Sequence, residues 1–192
     1  MFLRNGFSLL PFYFTLFTLQ KMDIQENIVN KVAASGLITF NLEDYLDNGE
    51  RVLYDIKDNL FHGLMLREKD FRAFVKEHDF EQYQGKNVAI TCSADAIVPT
   101  WAYMLLANKM KPYANEIVFG NLDVLDTVLF SKALSKVNLD EYAGERIVVK
   151  GCANPQIPVS AYVEITALLT PVAKSIMYGE PCSTVPIYKR KD

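Results

Sequence analysis

The chain has 192 residues and a net charge of −3, with half of its residues hydrophobic and 22% charged. That length carries one sizeable core or one domain with an internal repeat, and that balance excludes an intrinsically disordered chain. The single basic cluster, Lys189-Arg190-Lys191, offers no nucleic-acid surface, and an odd count of three cysteines argues against a secreted disulfide framework and for a reducing, cytoplasmic setting.

Residues 1–21, "MFLRNGFSLLPFYFTLFTLQK", form an aromatic-rich apolar stretch interrupted by Pro11. The stretch resembles a signal h-region, but no small-residue cleavage site comes after it, and it is short for a bilayer span. Two readings stay open. Residues 1–21 are a non-native upstream extension, with Met22 as the working start, or they are a weak membrane anchor. No membrane contact is expected unless the leader is native. From Met22 to Asp192 the chain reads as a single α/β domain.

Ile24, Ile28, Val29, Val32 and Ala33 share one helical face, and Gly36 is a natural stop. "LITF" at 37–40 predicts a strand, "DNGE" at 47–50 a turn, and "RVLYDI" at 51–56 a second strand. These strands are expected to form a cover over the remainder of the fold.

Beyond residue 60 the chain repeats itself at a nearly constant spacing, that from Phe71 to Phe130. At the same spacing Tyr83 and Gly85 match Tyr142 and Gly144. Pro99, Ala102 and Tyr103 match Pro158, Ala161 and Tyr162. Pro112, Ala114, Ile117 and Gly120 match Pro171, Ala173, Ile176 and Gly179. Clustered matches in a common order point to two related units, at about 61–120 and 120–179. Each unit runs helix, strand, helix, strand. A proline opens its second helix, where no N–H is needed. The apolar Pro99 helix is expected to be deeply packed. Continuous apolar strands alternating with helices predict an α/β fold, with internally duplicated helix-strand-helix-strand units around a largely parallel sheet.

In such sheets, sites collect at the carboxyl ends of strands. Cys92 and Cys152 come after equivalent strands, Cys182 lies three residues past Gly179, and the position equivalent to Cys182 in the first unit is Asp123. If the two units bring equivalent loops together, Cys92, Cys152, Cys182 and Asp123 make three thiolates and one carboxylate. That set suits zinc, iron or an iron–sulfur cluster. Against it, buried cysteine often only fills space, and no C-x-x-C spacing occurs. Cys182, in "GEPCSTVP", is also the best candidate for a reactive thiol, although Pro181 and Pro186 equally suit a plain turn. Ser93 and Asp95 beside Cys92 either orient a ligand or cap the backbone. His62 and His78 are expected at the surface, and Tyr103 and Tyr162 in paired core packing. Nucleotide-binding and common hydrolase motifs are absent.

The stretches "KVAASGLITFNLEDY", "LREKDFR", "AITCSADAIVPTWAYMLLA" and "AKSIMYGEPCSTVPIYK" resemble an uncharacterised bacterial family, domain of unknown function 2480, found mainly in Bacteroidetes. The likeness spans about Asp23 to Lys189 and assigns no residue a task. Genes of that family lie near those for sulfur mobilisation and iron–sulfur cluster assembly. The resemblance therefore implies a cytoplasmic accessory role, with iron–sulfur assembly proteins as partners. Three functions stay open: a metal- or iron–sulfur-related accessory protein, a sulfur acceptor or thiol enzyme acting through Cys182, and an interaction module without chemistry.

Overall fold

A computed structural model describes residues 36–151, 154 and 156–191. The leader, the helix expected at 24–33 and Cys152 lie outside the described residues.

The chain begins with β1 (Leu37–Asn41), a 3-10 turn at Leu42–Tyr45, β2 (Arg51–Asp55) and a second 3-10 turn at Ile56–Asn59. Next come α1 (Glu68–Glu77), β3 (Asn87–Thr91), α2 (Thr100–Met110) and β4 (Glu116–Phe119). The same order returns in α3 (Leu122–Leu134), β5 (Arg146–Lys150), α4 (Val159–Leu169) and β6 (Ser175–Glu180), after which β7 (Ser183–Lys189) closes the chain.

The α/β class and the largely parallel pairing are those the sequence indicates, but the strands divide between two sheets. One has the order β2-β3-β4, all parallel. The other has the order β1-β5-β6-β7, with only β7 antiparallel. The strands at 37–56 are therefore not a cover. Each opens its own sheet beside the central strand of one half. Each half then has the plan strand, 3-10 turn, helix, strand, helix, strand, and the first half is threaded between β1 and α3 of the second.

The two cores match position for position. Phe71, Val88, Ile90, Ala102, Leu106, Met110 and Ala114 fill the first. Phe130, Ile147, Val149, Ala161, Ile165, Leu169 and Ala173, each displaced by the same repeat spacing, fill the second. Tyr54 and Ile56 in the first correspond to Phe40 and Leu42, from the earlier strand, in the second. Side chains of this size each contribute about 1.5–3 kcal/mol when fully withdrawn from water.

Helix α3 belongs to both layers. Its Phe130 and Leu134 enter the second core, while Leu125 and Leu129 pack with Ala89 and Val118 on the back of the first sheet. This explains why "LDVLDTVLFSKAL" is apolar nearly all round, and why β3 is buried through Asn87–Ile90. Arg51 Nε donates to Asp126 Oδ1 at 2.8 Å, tying β2 to α3. Ser131 and Ser160 link α3 to α4 through Glu164 and Thr127.

Two further expectations need correction. Helix α2 is fully buried along one stripe only, Ala102, Leu106 and Met110, because among the described residues its other face is left open, where Met104 is 67% exposed. The turn suited by Pro181 and Pro186 is confined to Pro181-Cys182, and the segment after Cys182 is strand β7. Pro186 is tolerated there because β7 is an edge strand, and its pairing slips register opposite Ile176/Met177.

The turn at 47–50 holds the one fully buried polar side chain among the described residues. Asn87 Nδ2 donates to Asp47 Oδ1 at 2.7 Å, and its Oδ1 accepts from Asn115 Nδ2 at 2.8 Å. A Cβ on Gly49 would stand 2.7 Å from Asn87 Nδ2, so close approach rather than flexibility requires glycine there.

Candidate functional site

The loop bearing Cys92 leaves the carboxyl end of β3, Cys182 lies just past the end of β6, and Cys152 lies outside the described residues. The two rims are built differently.

In the first half, Asp55 ends β2 and caps the adjoining turn. Its Oδ1 accepts from the N–H groups of Lys57 (3.1 Å) and Ser93 (3.0 Å). Its Oδ2 accepts from the Ser93 hydroxyl (2.5 Å) and faces Lys57 Nζ at 3.3 Å. Burial pushes this carboxyl up, but the hydrogen bonds from Ser93 and Lys57 together outweigh it and hold it down at about 2. Ser93 therefore ties the cysteine loop to the neighbouring strand. Cys92 is half-buried against the first core and donates weakly to the Ala94 carbonyl at 3.6 Å. Tyr103 meets Phe119 edge to face at 5.0 Å. Burial raises its hydroxyl pKa, and the neighbouring Cys92 and Asp55 add to the shift.

In the second half the equivalent of Asp55 is Asn41, a neutral amide that caps its turn by accepting from Glu43 N–H at 3.4 Å. Lys150 and Glu180, at the ends of neighbouring strands β5 and β6, form an ion pair at 3.3 Å. Tyr162 meets Tyr178 edge to face at 5.7 Å, as Tyr103 meets Phe119. Cys182 is exposed in the tight Pro181-Cys182 turn of the β6–β7 hairpin, between the paired residues Glu180 and Ser183. Gly179 makes that turn possible. Its φ is +118°, and a Cβ there would lie 2.6 Å from the Ser183 carbonyl oxygen.

Among the described residues, no group of three or more His, Cys, Asp or Glu side chains is placed to hold a metal ion. Cys92, Cys182 and Asp123 therefore do not gather into a site by themselves. Asp123 lies in the first turn of α3, accepting from Asn121 Nδ2 at 3.3 Å, where a negative charge suits the helix end. Of the two histidines, His62 is exposed. His78 is half-buried among Phe74, Phe80 and Tyr83, where burial lowers its pKa against the opposing pull of Asp79.

Sequence reasoning missed Asp55, Lys57, Lys150 and Glu180. The similar cap-forming segments "FNLED" at 40–44 and "YDIKD" at 54–58 were the available signal for the first strand ends. Among the described residues, no helix is long and apolar enough to cross a membrane.

Fold and rim together define a class: an α/β protein of two similarly built halves, with cysteine-bearing loops at strand ends. The family model "Protein of unknown function (DUF2480)" matches residues 26–190, and the chain belongs to that family. No curated protein and no solved structure matches it.

Proposed function

We propose that the protein is a cytoplasmic accessory protein that carries a thiophilic metal ion or iron–sulfur-related cargo on its strand-end cysteines, in contact with iron–sulfur assembly proteins. Supporting this is the spacing along the chain of two cysteines from the ends of two paired strands. Cys152 lies two residues beyond the end of β5 and Cys182 two beyond the end of β6. These strands are parallel neighbours whose ends are joined by Lys150 and Glu180 at 3.3 Å. Thiolates are the soft ligands that zinc and iron–sulfur clusters take. An exposed Cys182 suits a cargo that is received and passed on rather than sealed in. Metal analysis and an absorption spectrum of anaerobically purified full-length protein test it. Stoichiometric metal, lost in Cys152→Ser and Cys182→Ser, is expected. Metal-free protein of unchanged stability would sink the idea.

The exposure of Cys182 favours a second function, a sulfur acceptor or thiol enzyme acting through that residue. Iodoacetamide should then modify Cys182 about tenfold faster than a simple exposed thiol under the same conditions. A rate no greater than that of the simple thiol would remove it.

A further inference from the structure

The halves differ most at one sheet edge. In the second half, β6 is covered by β7. In the first half the equivalent strand, β4, ends its sheet, and nothing among the described residues pairs with its outer side. The opposite edges, β1 and β2, are terminal in both halves, so only the β4 edge lacks a strand that its counterpart has.

The missing cover leaves apolar surface exposed. Tyr178 on β6 lies directly opposite Val185 of β7 and is 38% exposed. Its equivalent, Phe119, is 69% exposed, and Met104 on α2 is 67% exposed. An uncovered strand with such side chains is a template for another strand.

We propose that this edge is covered by a second copy of the chain, β4 pairing antiparallel with the partner's β4 about a twofold axis at Val118. Backbone direction and side-chain alternation select this arrangement together. The Gly120 N–H bonds the Ile90 carbonyl on β3. Successive residues alternate sides, so Val118 also turns its backbone groups to β3, while Ile117 and Phe119 turn theirs outward. Ile117 and Phe119 share the α2 face, whereas Val118 faces α3. Placing Phe119 opposite Ile117 of the second copy satisfies every outward N–H and C=O of both residues. It also keeps apolar side chains on one face, with Ile117 taking the place that Val185 takes against Tyr178. Val118 then meets its own copy as a non-hydrogen-bonded pair, whose Cα atoms approach to about 4.5 Å. A self-complementary contact of this kind closes as a dimer rather than growing into a filament.

The test is the mass of the full-length protein by sedimentation velocity across a concentration series, with thermal melts to confirm folding. Wild type should be a dimer. Phe119→Lys, a charge on an exposed edge position, and Phe119→Pro, whose lost backbone N–H points outward rather than to β3, should each weaken association at least tenfold while the protein stays folded. Val185→Lys, on the edge strand of the other half, should leave the dimer intact. In a Cys182→Ser background, Val118→Cys should form a disulfide to itself across the dimer on oxidation, identified by peptide mass, since about 4.5 Å between Cα atoms lies within disulfide range. A monomeric wild type overturns the proposal, as does an assembly larger than a dimer. So does a dimer that both Phe119 variants leave unchanged, or one that Val185→Lys dissociates.

Discussion

The two halves bury nearly the same core and build different rims. In the first, the cysteine loop is tied down: Ser93 bonds Asp55 through backbone and side chain, and Cys92 leans into the core. In the second, a neutral Asn41 replaces the acid, an ion pair joins β5 to β6, and Cys182 stands exposed on a hairpin. One set of apolar positions thus specifies the scaffold twice, and a few polar substitutions at strand ends set what each rim can do. The strand ends are free to differ because they lie outside the packed layer, where volume is tightly constrained.

The comparison is broken most forcefully through the cores. Phe71→Ala and Phe130→Ala should each cost about 3–5 kcal/mol, read by denaturant unfolding. Losses of similar size would match the shared packing plan, and a markedly smaller loss in either would show that the two cores are not equivalent. Next comes Asn87→Ala, expected to cost about 1–3 kcal/mol by stranding Asp47 and Asn115. The equivalent position in the second half is Arg146, so this network is peculiar to the first.

A smaller effect should separate Asp55 from Asn41. The folded-state carboxyl of Asp55 is held at about 2, below its ordinary 3.8. Its stabilisation is therefore fully present above about pH 4 and lost as the pH falls towards 2. Melting temperature against pH should fall less steeply over that window in Asp55→Asn than in wild type, whereas Asn41→Ala should leave the slope unchanged. Parallel curves for Asp55→Asn and wild type would show that this carboxyl does not carry the difference. The smallest change expected in stability is that of Cys182→Ser, within about 0.5 kcal/mol because the thiol is exposed. Cys92→Ser should cost more, since it puts a hydroxyl against the first core.

Much of the scaffold was legible in the residues. The constant repeat spacing marked equivalent core positions, and the proline-opened helices and apolar strands arose from local chemistry. The role of β7 was obscured by Pro186, which reads as a breaker until the strand is known to lie at an edge. The rim was less visible. Asp55 and Ser93 are far apart along the chain, and neither carries a motif, so their bond exists only because β2 lies beside β3.

By itself the sequence determined the class, the helices and strands, and which side chains are apolar enough to be buried, because periodicity and turn chemistry act over a few residues. Only the tertiary structure decided that the strands form two sheets, that β1 and β2 go to different halves, that α3 is shared between layers, and that, among the described residues, β4 has a strand on one side only. Those are choices of strand partner, made by long-range hydrogen bonding and packing, and no local pattern encodes them.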